Sequence, residues 1–357
     1  MNFDFADVLI EVMELGASDL HITAGSPPMV RRRGQLQPLD YPPLTPQVTR
    51  ETIYSFLTND QRKKLENELQ VDLSYSIPGR ARFRVNAYFQ RASLAAAFRL
   101  IPTEMPRFES LGLPATIRDF TKKPRGFVLV TGPTGSGKST TLASMIDLIN
   151  RERHEHIMTV EDPIEFLHRH QSCIVNQREL GADAESFALA LKAAMRQDPD
   201  VILVGEMRDL DTISTALTAA ETGHLVFATL HTQDAAQTID RVVDVFPPTQ
   251  QHQVRMQLSV TLQGIVTQQL LPTADGRGRT VACEVLVPTP AVRNLIREGK
   301  THQIYSALQT GGAHGMQTMD AALVQLVRER KITRELAESR SSTPQELRRL
   351  MGTVQAA

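Results

Sequence analysis

The sequence predicts an α/β protein in two parts, a small N-terminal α+β domain followed by a P-loop domain on a parallel sheet. Three observations predict it. From Arg82 to Phe89 the residues alternate strictly, with Phe83, Val85, Ala87 and Phe89 on one side and Arg82, Arg84, Asn86 and Tyr88 on the other, the period of a half-buried strand. From Gly126 the alternation stops. Unbroken apolar runs at 127–130, 157–160, 201–204 and 225–230 replace it, as in parallel strands covered by helices on both faces. Between the two regimes Pro102, Pro106, Pro114 and Pro124, with Gly112, interrupt both helices and ladders. The chain is therefore divided into an N-terminal domain over 1–100, a linker over 101–112, a parallel-sheet core over 113–290 and a helical C-terminal region over 291–357.

Composition narrows the classes. A chain of 357 residues suggests about two domains. Its 41% hydrophobic and 22% charged residues suit packed cores. No apolar run reaches the roughly 18 residues of a spanning helix, and no basic-then-apolar leader is visible at Met1–Phe5. Thirty-nine basic residues balance 40 acidic ones, for a net charge of −1, which argues against direct nucleic-acid binding. The two cysteines, Cys173 and Cys283, are far apart, which excludes a disulfide scaffold and a cysteine zinc site and fits a reducing cytosol.

The elements follow in order. Phe5, Val8, Leu9, Val12 and Met13 recur at helical spacing within 3–15, and Gly16 closes that helix. Residues 18–22 read as a short strand, and 31–34 as a turn between two more. Thr45 and Pro46 open a helix as cap and first residue. Thr58 and Gln61 form a capping-box pattern at the next. In the second part Phe187, Leu191, Ala194 and Met195 mark a helix between the second and third apolar runs. The strand 201–204 is taken to pair with the strand at 127–130. After 290 the chain reads as helical with a break at Gly311–Gly312, and the polar stretch from about Ser339 is expected to order poorly.

The chemistry centres on Gly132-Pro133-Thr134-Gly135-Ser136-Gly137-Lys138-Ser139, which fits G-x-x-x-x-G-K-[ST]. Glycines let backbone N–H groups wrap phosphate oxygens, and the loop opens a helix whose N-terminal dipole favours an anion. Thr134, Gly135, Ser136, Gly137, Lys138, Ser139 and Thr140 are thus the candidate nucleotide-phosphate-binding residues, with Ser139 also a Mg²⁺ ligand. Acids to hold Mg²⁺ and orient water stand at two strand ends, Glu206 after 201–204, and Glu161, Asp162 and Glu165 after 157–160. His231 ends the strand 225–230, where an imidazole could sense the γ-phosphate, although a lone strand-end histidine is often only packed or capping. His154/His156 and His168/His170 have i, i+2 spacing but no third ligand, so no transition metal is expected. Arg82, Arg84 and Arg99 read as solvated strand arginines or as fingers given to a neighbouring subunit.

Taken together the motifs resemble the family of secretion and type IV pilus ATPases. Residues 132–143 are similar to its Walker A, 159–165 to its acidic box, 198–209 to its atypical Walker B, and 218–232 to its His box. Residues 16–21 resemble its N-terminal domain. Residues 291–298 resemble the C-terminal motif of its retraction branch, with Val292 a departure. The extension and type II secretion branches carry a four-cysteine zinc motif and a longer N-terminus, and the sequence shows neither. The resemblance implies a PAS-like N-terminal domain and a RecA-like ATPase domain in a homo-hexameric ring. It implies ATP and Mg²⁺, with Glu165 as general base, Glu206 supporting Mg²⁺ partly through water, His231 sensing the γ-phosphate, and Arg82 and Arg99 completing the site. It also implies a motor at the cytoplasmic face of the inner membrane, docked on a pilus platform protein, that powers pilus retraction and twitching motility. A paralogous retraction ATPase could share the ring. The rivals are such a paralogue, an extension or secretion ATPase, and a nucleotide-bound ring subunit without turnover. Both acids, Glu165 and Glu206, speak against the last.

Overall fold

The computed structural model describes residues 4–32, 34–77, 80–101 and 105–352. Arg33 of the expected turn, Pro102 of the expected linker, and residues 353–357 lie outside the described residues. The chain splits into two compact units, Met1–Glu104 with Glu165–Leu167, and Met105–Ile164 with His168–Ala357.

The first unit contains α1 (Phe5–Glu14), β1 (Asp19–Ile22), β2 (Met29–Arg32), β3 (Gln35–Pro38), α2 (Pro46–Phe56), α3 (Asn59–Glu68), β4 (Gln70–Ile77), β5 (Ala81–Gln90) and β6 (Ser93–Ile101). Local chemistry sets the helix starts. Asp4 caps α1, Thr45 caps α2 ahead of Pro46, and the Thr58–Gln61 box opens α3. The strands form an antiparallel sheet in the order β3-β2-β1-β6-β5-β4. Leu20, Ile22, Phe83, Val85 and Phe98 bury one of its faces in a core shared with Val8, Leu9 and Val12 of α1 and Ile53 of α2. The alternate positions of β5 and β6 carry Arg82, Arg84 and Arg99, with Arg84 directly opposite Arg99. Arg31 and Arg32 prove to be strand rather than turn, because Arg31 pairs opposite Asp19 of β1.

The second unit opens with a 3₁₀ turn at Phe108–Ser110 and α4 (Ala115–Thr121). Then come β7 (Gly126–Thr131), α5 (Lys138–Glu152), β8 (His156–Glu161), β9 (Ile174–Glu179), α6 (Phe187–Ala194), β10 (Val201–Val204), α7 (Leu210–Glu221) and β11 (Leu225–Leu230). The remainder is α8 (Ala235–Asp244), α9 (Pro248–Thr261), β12 (Leu262–Pro272), β13 (Arg279–Leu286), α10 (Pro290–Arg297), α11 (Ile304–Thr310), α12 (Met319–Arg328), α13 (Arg334–Arg340) and α14 (Pro344–Gly352). Among the described residues the sheet order is β13-β12-β7-β11-β10-β8-β9, all parallel except the β12–β13 edge pair. Alternate residues of β7 face two separate cores. Phe127 and Leu129 pack with α7, α8, α9 and α10, while Val128 and Val130 pack with α4 and α5. That double burial is why these strands read as unbroken apolar runs.

The pairing of 201–204 with the P-loop strand is not observed. β7 lies between β11 and β12, and β11 separates it from β10. The six buried residues of β11 match β7 in length, and their ladder runs in full register from Leu225↔Gly126 to Leu230↔Thr131. The tail from Ser339 is also better ordered than expected. In α14 Leu347 is buried, and Leu350 and Met351 complete a stripe at i, i+3 and i+4 against α12 and α13. In α10, inside the 291–298 motif, Val292 and Ile296 are buried. Arg293 donates to the carbonyls of Ser259, Val260 and Leu262, closing the C-terminus of α9.

Candidate active site

Parallel pairing brings the carboxyl ends of β7, β8, β10 and β11 to one edge of the sheet, through Thr131↔Leu230, Ala228↔Val204 and Val204↔Val160. The P-loop, the acid loop, Glu206 and His231 each follow one of those ends. This is where open α/β sheets bind ligands.

The loop 132–137 joins β7 to α5. Gly132, Gly135 and Gly137 take φ of +135°, +80° and +91°. Gly132 has a second reason: a Cβ there would lie 2.4 Å from the Gln268 carbonyl oxygen and 2.7 Å from Ser136 Oγ. Ser136 is buried, and its hydroxyl has no hydrogen-bond partner among the described residues. Lys138 is 9% exposed and its ammonium donates to the carbonyls of Gly132 (2.8 Å) and Pro133 (3.1 Å). A buried ammonium turned on its own loop and an orphaned hydroxyl are groups that phosphate oxygens would satisfy. The loop therefore fits a nucleotide phosphate. Two cavities flank it. One, of about 470 Å³, is lined by Thr134, Gly135, Ser136, Gln233 and Arg340. The other, of about 320 Å³, lies over Thr140 and Thr141 and is lined by the apolar side chains Leu111, Leu113, Leu270 and Val281. Ser139 and Thr140 sit half-buried in the first turn of α5.

Glu206 and His231 lie far apart in sequence but meet at 2.8 Å, His231 Nε2 to Glu206 Oε1. Arg208 Nε donates to the same oxygen at 2.5 Å. Burial pushes the Glu206 carboxyl up, but the hydrogen bond from Arg208 and the charges of His231 and Arg208 outweigh it, so its pKa falls below the usual glutamate value. An ionised Glu206 accepts only, so His231 Nε2 carries the proton and donates. No motif singles out Arg208 by itself. Its spacing of two from Glu206 is the signal that could have found it.

At the end of β8, Thr159 and Gln177 donate to Glu161 Oε1 at 2.6 and 3.2 Å. Glu165 is exposed. Arg82 Nη2 donates to Ser74 Oγ (2.8 Å) and Arg99 Nε to Asp19 Oδ1 (2.9 Å), both within the N-terminal sheet, where Arg84 is exposed. The paired histidines bond locally. His156 Nδ1 contacts the Asp198 carbonyl at 3.0 Å, and His170 Nδ1 accepts the Val175 N–H. Burial lowers His168 to a pKa of about 4 and keeps it neutral. No group of three His, Cys, Asp or Glu side chains suited to a metal is found among the described residues. Nor is any of their helices long and apolar enough to cross a membrane.

A glycine-built phosphate cradle, strand-end acids and a strand-end histidine on one edge of a mostly parallel sheet define a P-loop ATPase with a RecA-like core. The chain belongs to the Type II/IV secretion system protein family, whose model matches residues 4–349. It is 51% identical over 342 residues to the type IV pilus retraction ATPase PilT of Pseudomonas aeruginosa, covering 96% of this chain and 99% of that protein. It is 43% identical over 345 residues to the type IV pilus ATPase PilU of the same organism, covering 97% and 90%. The crystal structure of the pilus retraction motor PilT with bound ADP matches with a TM-score of 0.92 at 53% identity, covering 98% of this chain and 100% of that one. The family resemblance read from the four motifs is thereby borne out.

Proposed function

We propose that the protein is a Mg²⁺-dependent ATP hydrolase that powers type IV pilus retraction, and with it twitching motility. Its greater identity to PilT than to PilU supports the retraction motor over the paralogue. The observation that carries the catalytic reading is the arrival of the P-loop, the acid loop and the Glu206–His231 pair at one sheet edge.

The residue roles follow from chemistry. The N–H groups of 134–140 and the Lys138 ammonium hold the phosphates. Ser139 Oγ and Glu206 would hold Mg²⁺, Glu206 in part through water. When bound, Mg²⁺ offsets charge on the transferring phosphoryl group. Arg208 and His231 both bond Glu206 Oε1, so neither engages Oε2. Glu165 takes the proton of the attacking water. His231, with Nδ1 open, senses the γ-phosphate. Arg82 and Arg99 complete the site of a homo-hexameric ring on an inner-membrane platform protein, at the cytoplasmic face. For Arg99 this requires exchange of its Asp19 partner.

Steady-state phosphate release tests the enzymatic part. Wild type is expected to turn over ATP. Glu165→Gln should bind ADP normally yet release phosphate at least about a hundredfold more slowly. Wild-type turnover in Glu165→Gln would remove the base assignment.

A further inference from the structure

The loop that carries Glu165 runs from 162 to 173 without helix or strand. Glu165 is exposed, and its carboxylate makes no hydrogen bond or ion pair among the described residues. The backbone on either side of it is held by side chains. The Ile164 N–H donates to Glu179 Oε2 at 2.9 Å. The His168 N–H donates to Gln177 Oε1 at 2.8 Å. The two acceptors are two residues apart on β9, so they share one face of that edge strand. The two donors bracket Glu165.

The bracket is itself fixed. Gln177 Nε2 donates to Glu161 Oε1 at 3.2 Å, which orients the amide so that its oxygen faces His168. Leu180 N–H donates to the Glu161 carbonyl at 2.9 Å, extending the β8–β9 pairing past the last residue of β9. Glu179 is only 4% exposed, an uncommon place for a carboxylate on an edge strand unless an N–H satisfies it. At the far end of the loop Asn150 of α5 donates to the Arg169 carbonyl (2.7 Å) and accepts the Gln171 N–H (3.2 Å).

We propose that Glu179 and Gln177 are positioning residues for hydrolysis, clamping Ile164 and His168 so that the Glu165 carboxylate is held where it takes the proton from water. This rests on Glu165 as base. A displacement of about 1 Å at a reacting group can cost on the order of a hundredfold in rate. A clamp on the two flanking amides therefore acts on kcat and leaves the P-loop, on another strand, to bind nucleotide unchanged.

The test compares ATP turnover and ADP affinity across Glu179→Ala, Glu179→Gln, Gln177→Ala, Glu165→Gln, Glu165→Asp and the double variant Glu179→Ala/Glu165→Asp. Glu179→Ala is expected to lower kcat about tenfold or more with ADP affinity within about twofold of wild type. Glu179→Gln keeps an acceptor for Ile164 and should recover most of that rate. Gln177→Ala should fall between them, and serves if Glu179→Ala fails to fold. In the Glu165→Asp background, where the carboxylate is already misplaced, Glu179→Ala should cost less than about threefold, because the two changes act on one geometry. Normal kcat in both Glu179→Ala and Gln177→Ala overturns the clamp. So does a loss shared by ADP affinity, or one fully multiplicative with Glu165→Asp. Wild-type turnover in Glu165→Gln overturns the base assignment and the clamp with it. A dead Glu165→Gln beside normal Glu179→Ala and Gln177→Ala overturns the clamp alone.

Discussion

The P-loop and the acid loop sit at the same sheet edge but are held by opposite means. The P-loop 132–137 is shaped by its own backbone, with three glycines at positive φ and a lysine that closes on the carbonyls of Gly132 and Pro133. The acid loop 162–173 has little internal bonding, and it is held by side chains from β9 and α5. A loop built by its own backbone writes its function into consecutive residues, whereas a loop held from outside spreads its determinants over distant ones. The P-loop shows in eight letters, while Glu179, Gln177 and Asn150 show nowhere in the sequence.

The largest effect that sharpens this contrast is Lys138→Ala. Removing the ammonium should weaken nucleotide binding and cut turnover on the order of 10²–10³-fold, read by ADP titration and phosphate release. A small loss would mean that the backbone cradle suffices. Next is Gly132→Ala. At φ +135° with 2.4 Å to the Gln268 carbonyl, an added Cβ has no room, so the β7–α5 turn must shift. We expect a destabilisation of about 1–3 kcal/mol by thermal unfolding together with weaker ADP binding. Asn150→Ala attacks the other loop from the P-loop helix. It should cost about 1–3 kcal/mol of stability and lower kcat while sparing ADP affinity, the reverse of the Gly132 pattern. Equal losses in kcat and affinity would break the distinction between the loops.

The smallest effect lies away from both loops. Glu284 of β13 is 4% exposed, accepts the Ala235 N–H that opens α8 at 2.8 Å, and is bonded by the Met319 N–H that opens α12. Burial pushes its carboxyl up to about 7, well above the ordinary glutamate value. The sign follows from linkage. A folded-state pKa raised above the unfolded one gives stability that is present at acidic pH and is lost as pH rises toward about 7. Melting temperature should therefore fall between pH 5 and pH 8 by about a few degrees more in wild type than in Glu284→Gln. Identical pH profiles would show that Glu284 does not carry this dependence.

Much of the fold was legible because the physics was local. The four apolar runs were buried on both faces, and the caps at Thr45 and Thr58 lay next to the helices they open. β9 was missed because Ile174–Glu179 has one buried apolar residue, Val175, and reads as polar loop. The β12–β13 hairpin was missed although Asp275-Gly276 between two apolar runs is a turn signal. Strand order was misread because burial fixes that a strand is central but not which neighbour it takes, and β11, last of the four runs, lies beside β7. The Glu206–His231 contact depends on that same order, so sequence could name both residues and not their meeting.

Whether the motor retracts pili by ATP hydrolysis is decided in the host cell. Surface pili would be counted by electron microscopy with Glu165→Gln replacing the wild type. Many pili on cells that no longer move are expected. Bald cells would contradict retraction and point to extension or assembly instead.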